Sequence, residues 1–478
     1  MRVIKISLIL IAAVTIGACK KMLNPQPVDA LPAEYAISTP ADLATAVSGV
    51  YDGLQSGSVL GGNRIIYADL LADDANVIET SLSAFGTSEI YTRTTTTQIG
   101  DLRNMWAQSY STINRANNII KVIDDGVLSS HEEYDETTFN IYKATCLFAR
   151  ATVHFELVRF WGLPYDIDAV GSNAQLGVPY RTDPTTSGPE GLDMARNTVE
   201  EVYNNVVSDL LEAEILMSNM LSGSSIYDEW YRHKVDKWVI KAMLSRVYFY
   251  MGNNSLASSY AEEVIASGEF SLINAPKENF AQAGTNFTSE QIFQLVSIAT
   301  DQSGNPAWGY TRFGSPIFMP NSDNIKLFHD NDIRLDKVDG YLYTSFFGDS
   351  TISKYDLANA TTGINMCVIR LAEMYLNIAE ANLSTGGNGD ASRAAQLYSE
   401  LFELRTDSVP NTSISNDSLL NLIQLERRLE LMYEGDRYHN AKRLKENLKG
   451  GITYDDPTLL FKIPQEEMSG NSEMVQNP

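Results

Sequence analysis

Cysteine, histidine and positive charge are all scarce in this chain. Its 478 residues include 3 cysteines and 5 histidines, and 36 lysines and arginines face 60 aspartates and glutamates, which gives a net charge of −24. So few cysteines exclude a disulfide-stapled scaffold. The histidines are scattered without a pair at metal-ligand spacing, so neither a metal site nor a cofactor is predicted. Nucleic-acid binding is excluded because it requires a basic surface.

The apolar run at the N-terminus is too short to cross a bilayer. It covers residues 6–18, whereas a transmembrane helix needs about twenty apolar residues. Because Arg2 and Lys5 precede the run, residues 1–18 are predicted to be an export signal peptide. The run ends in IGAC, which resembles the lipobox cut by the bacterial lipoprotein signal peptidase, so Cys19 is the predicted lipidated first residue. An ordinary secretory signal followed by a chance cysteine is the alternative.

The next segment, residues 19–38, is predicted to be a tether because it is rich in proline and has no apolar periodicity. The acidic chain should be repelled by anionic lipid headgroups, so membrane attachment is assigned to the lipid on Cys19. The two other cysteines, Cys146 and Cys367, each lie inside an apolar helical pattern. They are predicted to be buried thiols, and the sequence leaves open whether they form a disulfide.

Apolar residues at helical spacing recur over most of the remaining chain, which predicts a mainly α fold with a single domain over residues 39–478. Residues 270–364 differ, because their short apolar runs are broken by Gly, Pro, Asn and Ser; they are predicted to be a loop-rich insertion with minor strand. The tryptophans Trp106, Trp161 and Trp238 lie on helical stripes and are assigned to the core. The predicted helices cover about 39–54, 102–125, 138–161, 198–217, 234–251, 255–267, 369–383, 391–405 and 418–433.

Two helix pairs have the pattern of a tetratricopeptide unit. Gly252 and Ala257 are spaced like the turn glycine and the small second-helix residue of such a unit, and Ala394 or Ala395 takes the small-residue position in the second pair. Small residues at these positions let two helices approach closely. We therefore predict degenerate tetratricopeptide-like helix pairs stacked into an α–α superhelix.

The order of several sequence blocks resembles the RagB/SusD family of outer-membrane lipoproteins of the Bacteroidota. The resemblance runs through nearly the whole chain, from TPADLATAVSGVYDGL through FARATVHFELVRFWGLPY and VIRLAEMYLNIAEA to LERRLELMYEGDR and FKIPQEEMSGNSEMVQNP. It implies a tetratricopeptide-like helical body with a loop-rich face, lipid-anchored at the outer membrane and facing the cell exterior.

The resemblance also implies a function. Such a protein binds an oligosaccharide, or in some members a peptide, and delivers it to a SusC-like TonB-dependent transporter without catalysis. A different hypothesis is a lipid-anchored helical-repeat protein that binds peptides or a protein partner in a groove.

Sugar binding directs attention to aromatic residues outside the helices, because sugars stack on aromatic rings and take hydrogen bonds from Asn, Asp and Arg. One set lies in the loop 301–320, and the other precedes the helix at residue 102, where family members place part of their glycan site. For each aromatic residue, packing in the core or anchoring of a loop is the competing interpretation. The ligand-binding candidates are Tyr67, Asp73, Tyr91, Asn305, Trp308, Tyr310 and Arg312.

Neighbouring carboxylates elsewhere do not indicate an enzyme or a metal site. A glycosidase needs two carboxyl groups about 5 to 9.5 Å apart across a cleft, which the neighbours Asp73 and Asp74 do not specify. The acidic stretch DNDIRLDKVDG does not have EF-hand spacing, so a charged turn is favoured over a calcium site. The charges of LERRLELMYEGDR fall at helical spacings and are interpreted as ion pairs within and between helices.

Overall fold

The computed structural model of the protein describes residues 37–77, 87–168, 173–185, 193–218, 231–301, 318–336 and 363–478, with residues 304, 306, 310–312, 315–316, 340–344 and 350–355 between them. The predicted signal peptide, Cys19 and nearly all of the tether lie outside these residues. None of the helices within the described ranges is long and apolar enough to span a membrane.

Helices begin where the sequence supplies their caps. The first, α1, spans Pro40–Gln55, and Thr39 forms a capping box with Asp42 while Pro40 occupies the first turn. The long helix that ends before Gly162 begins after Asp135, whose carboxylate accepts a hydrogen bond from the Thr138 amide. Both starts lie within about two residues of the positions predicted from the sequence.

The predicted long helices are present with small shifts at their ends. The additional helices are short or lack an apolar stripe: α2, for example, is buried on nearly every side and therefore shows no amphipathic period. The helices are α1 Pro40–Gln55, α2 Gly62–Leu71, α3 Ser88–Thr92, α4 Gly100–Asp124, α5 Glu136–Trp161, α6 Val199–Ser218, α7 Lys237–Tyr250, α8 Asn254–Ala266, α9 Ser322–Ile325, α10 Leu371–Leu383, α11 Ala391–Thr406, α12 Asn416–Glu430, α13 Asp436–Arg443 and α14 Gln465–Gly470.

Strand is minor, as predicted, and in the described residues it forms two-stranded antiparallel pairs. They are β1 Ala75–Val77 with β5 Phe318–Pro320, β2 Gln291–Leu295 with β8 Met366–Arg370, β3 Thr311–Arg312 with β4 Ser315–Pro316, and β6 Leu342–Thr344 with β7 Ser350–Ile352. One predicted helix start was wrong: residues 369 and 370 belong to β8, because pairing with β2 holds them extended, and α10 begins at Leu371.

The helix pairs pack as the repeat pattern predicts. Gly252 has φ +69° in the turn between α7 and α8, a conformation that favours glycine. Ala257 is fully buried, and its carbonyl oxygen accepts a hydrogen bond of 2.8 Å from the Ser245 hydroxyl of α7. Helix α10 packs on both α8 and α11, which continues the stack of helix pairs. The fold is therefore mainly helical and built from stacked helix pairs.

One cluster of buried apolar side chains includes residues from Leu43 to Met474. Trp106 and Trp161 are buried in it as predicted, whereas Trp238 is only partly buried at its edge. The described thiols of Cys146 and Cys367 are free and buried, so the disulfide alternative is not realised. Burial raises the pKa of the Cys367 thiol to about 12, which makes it a poor nucleophile.

Candidate functional site

The loop that carries most of the predicted ligand contacts is fixed at its end by Tyr310. This side chain is fully buried, and its hydroxyl hydrogen bonds with the Asp69 carboxyl of α2 and lies 3.1 Å from the Tyr433 carbonyl oxygen. Its ring stacks on Tyr355 at 5.9 Å and meets Phe318 edge-on at 5.2 Å. Because buried aromatic contacts of this kind are stabilising, they hold residue 310 against α2.

The start of the same loop is fixed by a close approach of two backbones. The Gly62 amide at the start of α2 donates a hydrogen bond of 2.8 Å to the Gly304 carbonyl oxygen. A Cβ at Gly62 would lie 2.1 Å from that oxygen, so only glycine permits this approach. Nearby, the Gln55 side-chain amide donates a hydrogen bond of 3.2 Å to the Asp301 carbonyl oxygen. Residues 301 and 304 therefore lie against the turn between α1 and α2.

Asn305 and Trp308 come between these two anchors in the sequence. Both residues lie outside the described residues, and of Arg312 only the backbone, in β3, is described. The described residues 301, 304 and 310 of this loop thus contact the α1–α2 turn and α2. We use the name ligand face for residues 55–62 together with the stretch 301–312 of the sequence.

Two of the predicted ligand-binding tyrosines are core residues. Tyr67 is buried and meets the Phe461 ring edge-on at 6.4 Å, and Tyr310 is buried as described above. Burial raises the pKa of both phenols. Neither ring has an accessible face in the structure, so neither can stack on a sugar in this arrangement, and the contacts that they make are structural.

Asp73 and Asp74 form ion pairs with two arginines. Arg437 approaches Asp73 at 2.7 Å, and Arg428 approaches Asp74 at 2.8 Å. Although burial opposes it, the hydrogen bond and charge of Arg437 lower the pKa of Asp73, while burial raises the pKa of Asp74 despite Arg428. The Asp73 side chain is 26% exposed, so it retains access to solvent. Both carboxylates therefore make ion pairs that join them to α12 and α13.

Tyr91 contacts a different element from the other candidates. It lies on α3, and the Lys449 amine hydrogen bonds to its hydroxyl and sits 4.0 Å from its ring centroid. A cation over an aromatic face is favourable and occupies that face. Tyr91 therefore contacts the turn at residue 449, whereas Tyr310 contacts α2.

A buried ion network fixes the loop-rich segment to the helices. The sequence predicts ion pairs at Glu426 and Glu430, but not their burial or their partner Arg334 in that segment. Arg370 at the end of β8 approaches Glu430 of α12 at 2.6 Å and Glu290 at 2.9 Å. Arg334 approaches Glu426 at 2.7 Å, and Arg405 approaches Glu430 at 2.9 Å. We call these six residues the ion network.

Glu430 is central to the ion network. Burial opposes its ionisation, but the charges of Arg405, Arg370 and Arg334 hold its pKa well below the ordinary value. The predicted ion pairs between helices are thus present but buried. A signal was available in the sequence, because Glu426 and Glu430 continue the buried stripe of Leu419 and Ile423 on α12.

Two open grooves lie elsewhere on the helical body. One has a volume of about 420 Å³ and is lined by Trp238, Lys241, Glu214 and Glu263, and Lys241 pairs with both carboxylates at 2.6 Å. The other, of about 220 Å³, is lined by residues that include Tyr110 and Asn114. Among the described residues, no group of three or more His, Cys, Asp or Glu side chains is placed to hold a metal ion.

Comparison with known proteins agrees with this architecture. A family model described as "Starch-binding associating with outer membrane" matches residues 22–249, and the model of the SusD family, SusD_RagB, matches residues 321–458. The chain is 25% identical to SusD-like protein P2 of Formosa agariphila, with 100% of this chain and 99% of the relative covered.

Solved structures show the same fold. One is a Bacteroides vulgatus protein described as a candidate sugar-binding protein, with a TM-score of 0.77 and 26% identity over 93% of this chain and 99% of that one. Another is a SusD superfamily protein of Bacteroides thetaiotaomicron, with a TM-score of 0.77 and 26% identity over 92% of this chain and 100% of that one. The proteins of the SusD family are nutrient-binding proteins associated with the outer membrane rather than enzymes. From these matches and the fold, the chain belongs to the SusD/RagB family.

Proposed function

We propose that this protein binds an oligosaccharide at the ligand face and delivers it to a SusC-like TonB-dependent transporter in the outer membrane. The observation that carries the proposal is the double anchoring of loop 301–310, through Gly62 with Gly304 and Asp69 with Tyr310. A binding loop fixed at both ends loses little conformational entropy when the ligand arrives, which favours affinity.

Within the ligand face, Trp308 is assigned the stacking role and Asn305 and Arg312 the hydrogen bonds to sugar hydroxyls. Asp73 and Tyr91 are assigned to the periphery, because each already has basic partners. Tyr67 and Tyr310 support the face from the core instead of contacting the ligand.

Attachment to the membrane is proposed to run through a lipid on Cys19, with residues 19–38 as the tether and the folded chain on the outer surface of the cell. The net charge of −24 supports a lipid anchor over electrostatic adsorption, since anionic lipids repel such a chain. Metabolic labelling with a fatty acid should mark the wild type and not Cys19→Ala. Protease added to intact cells should degrade the wild-type protein; protection would place it in the inner leaflet.

Ligand binding is tested by calorimetric titration of the full chain in detergent with a panel of oligosaccharides. Trp308→Ala should weaken binding about tenfold or more, the equivalent of ~1.4 kcal/mol for one lost stacking contact. Trp238→Ala is the matched control, because that tryptophan lines a groove of the helical body. Equal affinity of wild type and Trp308→Ala would contradict the assignment. Binding of peptides but of no oligosaccharide would favour the peptide-binding alternative.

Delivery to a transporter and the absence of catalysis need separate measurements. Affinity purification of the anchored protein from native membranes should recover a large outer-membrane barrel, and recovery of none would count against delivery. An oligosaccharide incubated with the protein should be returned unchanged. Hydrolysis that disappears in Asp73→Ala would replace the binding role with an enzymatic one.

A further inference from the structure

The hydrogen bonds around Tyr310 require one more proton than a charged Asp69 supplies. The Tyr310 hydroxyl has a single proton, yet it hydrogen bonds with Asp69 Oδ2 and lies 3.1 Å from the Tyr433 carbonyl oxygen. Both of these neighbours are acceptors if Asp69 is ionised. The Tyr355 hydroxyl donates to the same carbonyl oxygen at 3.1 Å, so that carbonyl is built to accept two tyrosine hydroxyls.

The surroundings of Asp69 also disfavour a negative charge. The residue is 1% exposed, and its Oδ1 atom has no hydrogen-bond partner among the described residues. The nearby ammonium of Lys354 is directed elsewhere, to the Met432 carbonyl oxygen at 2.8 Å and Glu434 at 2.6 Å. A buried carboxylate with one hydrogen bond and no cation in contact is costly, whereas a neutral carboxylic acid is not.

We propose that Asp69 is a neutral carboxylic acid whose Oδ2–H donates to the Tyr310 oxygen, which frees the Tyr310 hydroxyl to donate to the Tyr433 carbonyl, and that this proton positions the ligand face. The inference rests on the proposed function only for its link to binding. Asp69 is then a positioning residue, because it acts on the ligand through Tyr310.

The backbone at Tyr433 explains why the second hydrogen bond matters. Tyr433 has φ +66°, a left-handed conformation that is uncommon for a bulky residue. Such a conformation persists where surrounding contacts hold it, and here two tyrosine hydroxyls hold its carbonyl. The proton on Asp69 therefore maintains the hydrogen bonds that join residue 310 of the ligand face to the turn at Tyr433, which follows α12.

The arrangement predicts a loss of order at alkaline pH. Burial raises the pKa of Asp69 to about 8, although the Tyr310 hydrogen bond opposes the shift. Several other titratable groups lie near Asp69. They are the carboxyl groups of Asp74 and Glu434, the phenols of Tyr310, Tyr355 and Tyr433, and the ammonium of Lys354.

The sign follows from proton uptake. The unfolded carboxyl titrates near pH 3.9, so the folded protein binds a proton that the unfolded chain has released between that pH and about 8. The stabilising contribution is complete below the unfolded pKa of about 3.9, declines as the pH rises, and is lost above the folded pKa of about 8. Above it, the Tyr310 hydroxyl donates its hydrogen bond to the Asp69 carboxylate, and the Tyr433 carbonyl oxygen loses one donor.

Hydrogen exchange of peptides that cover residues 304–312 tests the inference in the full chain without any ligand. After correction for the intrinsic rate, wild-type exchange should rise at least threefold between pH 7 and 9.5. Asp69→Asn, whose side-chain amide donates as the acid does, should show protection independent of pH. Tyr310→Phe should show fast exchange at both pH values. The same pH profile for wild type and Asp69→Asn would overturn the proposal.

Infrared difference spectra give the second readout. The carbonyl stretch of a protonated carboxylic acid should be present in the wild type at pH 7, absent in Asp69→Asn, and lost from the wild type above pH 9. Its absence at pH 7 would overturn the proposal even if oligosaccharides bind. Conversely, a protonated Asp69 with a pH-dependent loop in a protein that binds no oligosaccharide would sustain this inference and refute the proposed function.

Discussion

The contact between helices α7 and α8 and the attachment of the loop-rich segment 270–364 rest on different interactions, although other helices of the body also share buried ion pairs, such as Arg427 with Glu380. Helix pairs such as α7 with α8 pack through small and apolar residues, as at the fully buried Ala257. The loop-rich segment is joined to α11 and α12 by the ion network, in which Arg334 and Arg370 contact glutamates that are also buried. Apolar packing tolerates conservative change, whereas a buried charge that loses its partner is strongly destabilising. The attachment of the loop-rich segment therefore depends on individual charged side chains more than the contact of α7 with α8 does.

The largest expected effect comes from breaking the ion network. Glu430→Ala leaves Arg334, Arg370 and Arg405 without their common carboxylate, and we expect a loss of about 3 to 5 kcal/mol in the free energy of unfolding, measured in urea. Lys326→Ala is the control, because that lysine makes an exposed ion pair. We expect it to have no measurable effect, since exposed pairs contribute little. An unchanged free energy of unfolding in Glu430→Ala would show that the ion network does not hold the loop-rich segment.

A smaller loss of stability should follow from adding a methyl group where α2 meets the loop. A Cβ in Gly62→Ala would overlap the Gly304 carbonyl oxygen, and forced displacement of well-packed atoms costs about 1 to 3 kcal/mol. Oligosaccharide affinity should fall as well, because residue 304 is displaced. Gly49→Ala on α1 is the matched control: it has no atom within 4 Å of the added Cβ and should stabilise the helix by up to about 1 kcal/mol. Equal affinity in both variants would refute the anchoring role.

A helix cap should affect stability without affecting the ligand face. Thr39→Ala removes the side chain that caps α1, and a cost of about 1 kcal/mol in the free energy of unfolding is expected. Oligosaccharide affinity should stay within twofold of the wild type in calorimetry. If affinity fell as far as in Gly62→Ala, the two regions would be coupled more tightly than their contacts suggest.

The sequence predicted the helical body well because its signals are local. Thr39 and Pro40 specify the start of α1, and Gly162 specifies the end of α5, through contacts within a few residues. Local signals do not predict two stretches. Helix α2 shows no amphipathic period because it is buried on almost every side, and residues 369 and 370 are extended because they pair with β2, which is distant in sequence.

The site was less accessible to prediction for a physical reason. The aromatic loop 301–320 was found from composition, but core and surface aromatics have the same residue types, so nothing local separates Tyr310 from a stacking residue. The partners that fix the loop, Asp69 and Gly62, lie some 240 residues earlier in the chain. Ion pairs at Glu426 and Glu430 were predicted, but the burial of the ion network and the roles of Arg334 and Glu290 were not, because charged residues are expected outside and these pairs are far apart in sequence.

The most direct test of the account is a hydrogen-exchange footprint of the full chain with and without an oligosaccharide that it binds. We expect added protection in peptides that cover residues 55–62 and 301–312, the ligand face, and unchanged exchange around Trp238 and Lys241 in the groove of the helical body. Protection confined to that groove, with no change at residues 301–312, would contradict the account.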